Sequence, residues 1–204
     1  MDDYKQKRAA LVGPLVEDPN EALLVWNERR NSQIQFLLSQ GLKPDHYLLD
    51  IGCGVLRGGI PIIQYLDSKH YYGMEKCDER LEEAKRELAE EGLRWKVPHL
   101  TTTYQTIDEK FDFIWVFQVF IHLTDEILME TLSNISHLLK NEGTCYATVN
   151  TRSTEGRWRE YPFVKRDLSF YEQAADKYNL TATPLETDMN EEFVKITRNS
   201  ASER

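Results

Sequence analysis

The segment LLDIGCGVLRGG, residues 48–59, restricts the fold of this chain more than any other stretch. An apolar run of strand length ends at a carboxylate, Asp50, turns on Gly52 and Gly54, and continues into Ile60, Pro61, Ile62 and Ile63. That order reads as strand, tight loop and helix. Glycines at 52 and 54 permit positive φ and remove the Cβ atoms that would hold a ligand away from the main chain. In open α/β sheets ligands bind beyond the carboxyl ends of the strands, and this loop falls at such an end. Glycine turns also serve as plain strand-to-helix connections, so a pocket here needs support from the rest of the chain.

The rest of the chain alternates in the same way. Strands are expected over 46–51, 70–75, somewhere within 99–106, over 111–117 and over 144–150. The run 111–117 is almost continuously apolar, which suits a central strand covered on both faces. Between the strands, helices are expected from the glycine loop to residue 66, over 78–91 with Gly92 as its stop, and from a Thr124 cap to a turn at Asn141, Glu142 and Gly143. A long connection over 151–166, a helix over 167–178 and a hairpin over 181–186 and 192–198 follow. The pattern implies an α/β fold, a doubly wound and mostly parallel sheet with the terminal hairpin supplying one antiparallel strand.

Ahead of this unit, residues 1–19 read as an adaptable arm and 21–40 as one or two helices capped by Asn20. The expected division is an N-terminal arm and helix over 1–45 and a ligand-binding domain over 46–204. Trp26, Asn27, Arg29 and Arg30 interrupt the apolar stripe of that first helix, either as a solvated face or as a lid over the pocket.

Composition narrows the partners. A net charge of -9 argues against a nucleic-acid backbone as the main partner. No apolar run has the length of a membrane span and the first residues lack a signal-peptide core, so a cytoplasmic protein with no membrane partner is expected, as monomer or homodimer. Cys53, Cys77 and Cys145 are odd in number and widely spaced, which suggests neither disulfides nor zinc, and no carboxylate cluster suggests another metal.

Two features speak against a dinucleotide ligand. Arg57 stands where a pyrophosphate fingerprint needs its third glycine, and Glu75 closes the second strand, where a carboxylate can accept from both hydroxyls of a ribose. An unphosphorylated nucleoside fits better.

With LLDIGCG, YYGMEK, FDFIWVFQVFIHL and LLKNEGTCYATVN in this order, residues 46–198 resemble the class I S-adenosylmethionine-dependent methyltransferases. The LRGG continuation resembles bacterial members that modify sugars, polysaccharides or natural products. The resemblance implies a seven-stranded Rossmann-like sheet and S-adenosylmethionine as cofactor. It implies that Gly52, Cys53 and Gly54 flank the methionyl and ribose parts, that Asp50 organises the loop or meets the methionyl amine, and that Glu75 takes the ribose hydroxyls. Arg57, Lys76, Phe117 and Gln118 complete the implied cofactor contacts. Two departures stand out: the third strand lacks a terminal acid for the adenine amine, with Asp108 only after it, and Phe117 replaces a residue that is commonly small or polar.

Sulfonium methyl transfer is an in-line displacement, so positioning matters most and no dedicated nucleophile is needed. For a hydroxyl acceptor, His122 is the candidate base; its alternative is a histidine that braces the loop after the fourth strand. The connection 151–166 carries Arg152, Arg157, Arg159, Lys165 and Arg166 among Trp158, Tyr161 and Phe163, against Glu155 and Glu160. It suits an anionic acceptor or is simply solvated. Expected acceptor-side residues are Trp26, Arg57, His122, Arg152 and Tyr161. The expected reaction is methylation of an oxygen or nitrogen on a small, anionic or sugar-linked metabolite. The rivals are a protein or RNA methyltransferase, a non-catalytic cofactor-binding module, and a nicotinamide-dependent reductase.

Overall fold

Seven strands form one sheet, described in a computed structural model for residues 18–152, 157–158 and 161–199. The expected arm before residue 18 and the loop residues Glu155, Arg159 and Glu160 lie outside these. In chain order the elements are α1 (Pro19–Ser39), β1 (Leu48–Ile51), α2 (Gly59–Tyr65), β2 (Tyr71–Met74), α3 (Asp78–Glu90), β3 (His99–Thr101) and β4 (Phe111–Val116). They continue with α4 (Asp125–Leu138), β5 (Leu139–Val149), β6 (Arg157–Trp158), β7 (Tyr161–Pro162), α5 (Leu168–Asp176), β8 (Leu180–Leu185) and β9 (Glu192–Arg198). Sheet order is β3-β2-β1-β4-β5-β9-β8. The first five strands pair in parallel, and β9 runs antiparallel to both β5 and β8. The doubly wound sheet with one antiparallel strand is thus as expected.

Both faces are covered, which is why β1 and β4 are apolar apart from Asp50 and Asp112. One face packs α4 and α5 through Leu128, Leu132, Ile135, Tyr171 and Ala174; the other packs α1, α2 and α3 through Leu37, Ile62, Ile63 and Ala84. Order reversal between β1 and β4 leaves a crevice at their carboxyl ends, next to the glycine loop.

Several expected boundaries move for physical reasons. Helix α1 is one helix, and Asp18 rather than Asn20 caps it: the Asp18 carboxylate accepts from Asn20 N at 2.7 Å, and Pro19 fills the first turn, where no N–H is needed. Asn141, Glu142 and Gly143 do not end α4. That helix stops at Leu138 and β5 begins at once, with a register shift against β4 between the Phe111 and Phe113 pairings. A Cβ on Gly143 would stand 2.6 Å from the Phe111 carbonyl, so the bulge requires glycine. Part of the connection 151–166 is the short hairpin β6–β7.

Helix α1 is fixed to the domain at several points. The Phe36 ring stacks on Phe193 (4.9 Å) and meets Trp115 and Tyr146 at 5.2 and 5.3 Å. The buried Gln33 accepts from the Trp115 indole at 3.0 Å. Arg30 forks onto Glu87 (2.6 Å) and Glu91 (2.9 Å) of α3. Trp26 is only 2% exposed, which rules out the solvated-face reading of its position and leaves the other. Among the described residues no helix is long and apolar enough to cross a membrane.

Candidate active site

The glycine loop is folded back onto β2 and the exit of β4. Gly52 N and Cys53 N both donate to the Met74 carbonyl (2.7 and 3.1 Å), which bends the chain across the end of β2. Gly52 and Gly54 have φ of +76° and +54°, and a Cβ on Gly52 would lie 2.3 Å from Val119 Cγ2. Gly73 keeps the β2 side clear, since its Cβ would meet Cys53 Sγ at 2.9 Å. Leu56 is buried with φ +61°, a strained conformation for a branched side chain.

Beneath the loop, the Tyr71 hydroxyl donates to Asp50 Oδ2 at 2.6 Å. Both side chains are buried. Burial raises the Asp50 carboxyl to about 7, against the lowering effect of the Tyr71 bond, and the nearby Glu75 charge adds to the rise. The same surroundings push the Cys53 thiol and the Tyr71 phenol up, burial being the largest cause in each.

Glu75 is 8% exposed at the end of β2. Its Oε1 accepts from Cys77 N at 3.0 Å, while Oε2 lies 3.9 Å from Arg80 and about as far from where a Gly54 Cβ would stand. The result is a largely buried carboxylate facing a stretch of bare main chain. Such a pair suits vicinal hydroxyls in front of a glycine loop, so the residues present fit an adenosyl ligand.

On the other side of the crevice, Gln118 follows β4 with φ +56°, its N–H donating to Thr148 Oγ1 at 2.6 Å and its amide donating to Glu191 at 3.4 Å. Phe117 stacks almost parallel on Trp115, 5.4 Å between centroids. Arg57 leaves the glycine loop with its guanidinium 5.6 Å from the Trp26 ring. Burial and the neighbouring Arg29 lower the Arg57 guanidinium to about 10, opposed by Glu191.

A family model described as a methyltransferase domain matches residues 49–145, a span that contains this glycine loop, Glu75 and the β4 exit. Over these residues the chain is a methyltransferase domain. Solved structures share the fold at low identity. Magnesium protoporphyrin IX methyltransferase (ChlM) from Synechocystis PCC 6803, with bound S-adenosylhomocysteine, superposes with a TM-score of 0.68 at 15% identity, covering 97% of this chain and 94% of that one. The mitomycin 7-O-methyltransferase MmcR gives 0.66 at 18% identity, over 89% of this chain and 58% of that one. The CcbJ methyltransferase from Streptomyces caelestis gives 0.64 at 10% identity, over 84% and 89%.

Around this domain the sequence-predicted residues fall into three groups. Asp50, Gly52, Cys53, Gly54 and Glu75 converge on the loop at the ends of β1 and β2. Lys76 is exposed beside them, its amine 5.8 Å from the Tyr104 ring. Trp26 and Arg57 meet across the α1 side. His122 and Tyr161 come together after β4, 6.1 Å between rings, and His122 also stacks on Phe163 at 5.2 Å. The His122 Nδ1–H donates to the Pro162 carbonyl at 3.1 Å, and burial lowers its pKa, with that carbonyl acting in the opposite sense.

Two basic residues of the long connection are ion-paired. Arg152 pairs with Glu192 at 3.1 Å while remaining exposed. Arg166 is 5% exposed and does not face an acceptor: it donates to the Phe120 carbonyl (3.3 Å), the Leu123 carbonyl (2.6 Å) and the Asp125 carboxylate (2.7 and 2.9 Å), clamping the turn after β4. Tyr71, Gln33, Thr148 and Glu191 escaped the sequence reading. Only Tyr71 carried a usable signal there, as a tyrosine two residues before Gly73, on the same strand face.

Proposed function

We propose that this methyltransferase moves a methyl group onto an oxygen or nitrogen of a small, anionic or sugar-linked metabolite. The observation that carries the reading is the buried Glu75 carboxylate facing the Cβ-free main chain at Gly54. When bound, S-adenosylmethionine supplies a methyl group already activated by its sulfonium. Glu75 accepts from the ribose hydroxyls. The 52–54 main chain lies against the ribose and methionyl parts, and Asp50 faces the methionyl amine. Phe117 and Gln118 border the donor from the β4 side, Lys76 flanks its adenosyl end, and Arg57 lies where the loop opens.

In this reading residues 1–45 are the cover and 46–204 the transferase domain. Trp26, Arg57, His122, Arg152 and Tyr161 face the acceptor. For a hydroxyl acceptor His122 takes the proton: with Nδ1–H donated to Pro162, the lone pair falls on Nε2, and the lowered pKa keeps the ring neutral near pH 7. A small acceptor is favoured by the way α1 is bolted to α3 and to the aromatic stack, which leaves a fixed wall beside the crevice. By their names, two of the neighbours act on small molecules, a porphyrin and a mitomycin.

Calorimetric titration with S-adenosylmethionine, S-adenosylhomocysteine and NADH, on the natural chain and on Glu75→Ala, tests the proposal. Binding of the two adenosyl sulfur compounds, lost in the variant, is expected. A preference for NADH, or affinity indifferent to Glu75, overturns the assignment.

A further inference from the structure

β5 carries a buried hydroxyl, Thr148, between Ala147 and Val149. The residue is 1% exposed, in a place where valine would have the same shape and no polar group to desolvate. Its retention calls for an explanation. Thr148 Oγ1 accepts from Gln118 N at 2.6 Å. The last paired residues of β4 and β5 are Val116 and Ala147, so this bond is made just past the end of their ladder, at the mouth of the crevice.

Gln118 needs such a restraint. Its φ of +56° lies in the left-handed region, which a residue with a Cβ occupies only where its surroundings hold it there. The angle φ is the twist between the amide N–H and the substituents on Cα. Thr148 fixes the first of these, and the bond from the Gln118 side-chain amide to Glu191 at 3.4 Å restrains the second. That twist directs the chain onward to Val119. Val119 Cγ2 is 2.3 Å from the point at which Gly52 would carry a Cβ, so the valine fills the space left free at the first glycine of the cofactor loop.

We propose that Thr148 is a positioning residue for cofactor binding: its hydroxyl keeps Gln118 left-handed, and the resulting turn sets Val119 against Gly52 and holds the loop in its binding shape. This rests on the reading that the 52–54 main chain lies against the adenosyl ligand. Released from Thr148, Gln118 relaxes toward negative φ and Val119 swings away from Gly52. The loop must then be ordered each time a ligand binds, which weakens binding. Two consequences separate this role from packing. Only the hydroxyl at 148 matters, so serine serves and valine does not. Glycine at 118 takes positive φ at no steric cost and removes most of the dependence on Thr148.

The test has two readouts on the full chain. The first needs no ligand: a nuclear Overhauser contact between the Val119 methyls and the Gly52 α-protons is expected in the natural chain and in Thr148→Ser, and should be lost in Thr148→Val. The second is calorimetry with S-adenosylhomocysteine, at a temperature where circular dichroism shows every variant folded. Thr148→Val should bind about 10-fold more weakly, and Thr148→Ser close to the natural chain. In a Gln118→Gly background, Thr148→Val should cost little more. A residue that only packs would lower the melting temperature of Thr148→Val and leave both the contact and the affinity in place, and that result overturns the proposal. Serine no better than valine, or losses at 118 and 148 that simply add, overturns it as well. If the natural chain fails to bind S-adenosylhomocysteine, the cofactor reading fails and the positioning role with it, whereas the Overhauser contact still decides whether Thr148 sets Val119 against Gly52.

Discussion

The Tyr71 hydroxyl and the Asp50 carboxylate, 2.6 Å apart and both buried, form the floor of the cofactor loop. β1 and β2 pair with Asp50 beside Gly73 and Leu48 beside Tyr71, so the tyrosine reaches diagonally to the acid from the same face of the neighbouring strand. This floor holds a titrating group. Folding raises Asp50 from 3.8 to about 7, so the folded state binds the proton more tightly than the unfolded chain does. Its contribution to stability is complete below about pH 4 and is lost as pH rises to about 7, with a slope of at most ~1.4 kcal/mol per pH unit. In urea unfolding across that range, Asp50→Asn should flatten the decline and be the more stable protein at pH 8. Tyr71→Phe should cost about 1–3 kcal/mol, more at pH 8 than at pH 5, because it strips the ionised acid of its donor. Equal costs at the two pH values would show that Asp50 does not titrate there.

Cofactor binding should follow the same group. If Asp50 meets the methionyl amine, ionised Asp50 binds the cation better, so affinity for S-adenosylmethionine should climb as pH is raised towards 7 and then level off. Calorimetry in two buffers of different ionisation enthalpy should detect proton release near pH 6 in the natural chain and none in Asp50→Asn.

Gly52→Ala should abolish cofactor binding, for two separable reasons: its φ of +76° is unfavourable to alanine, and the new methyl would collide with Val119. Adding Val119→Ala removes the collision alone. The double variant should recover part of the thermal stability and less of the affinity.

Arg166→Met should destabilise the fold by about 1–3 kcal/mol, since it removes the guanidinium donor from the Leu123 carbonyl and leaves the Phe120 carbonyl with only the Leu123 N–H. Asp125→Asn should cost less than about 1 kcal/mol, because that carboxylate is 61% exposed. Similar losses in denaturant unfolding would mean that the ion pair, not the carbonyl clamp, holds the turn.

Arg30→Ala should loosen α1 selectively, because it removes the fork that ties α1 to Glu87 and Glu91 of α3. Hydrogen exchange should accelerate across Pro19–Ser39 while β1 and β4 keep their protection. Uniform acceleration would indicate that α1 and the sheet open as one unit.

The cofactor side was the legible part of this sequence. Asp50, Gly52, Gly54 and Glu75 lie within one strand–helix–strand unit, so short-range spacing already brings them together. The burial of Trp26 was hidden because the aromatic sits among Asn27, Glu28 and Arg29, and a helix walled on more than one side shows no clean apolar stripe. The Asn141, Glu142 and Gly143 run carries turn chemistry, yet pairing across β4 and β5 uses it as a bulge. Arg166 looked like a ligand because the carbonyls it satisfies, at Phe120 and Leu123, are distant in the chain and invisible in composition.

The compactness in sequence of the donor-binding unit has an evolutionary consequence. The Tyr71–Asp50 and Cys77–Glu75 hydrogen bonds are local to residues 50–77, whereas the opposite wall is assembled from α1, the turn after β4 and the segment around Glu191. Substitutions in those scattered pieces can retune which compound is modified without disturbing the methyl source.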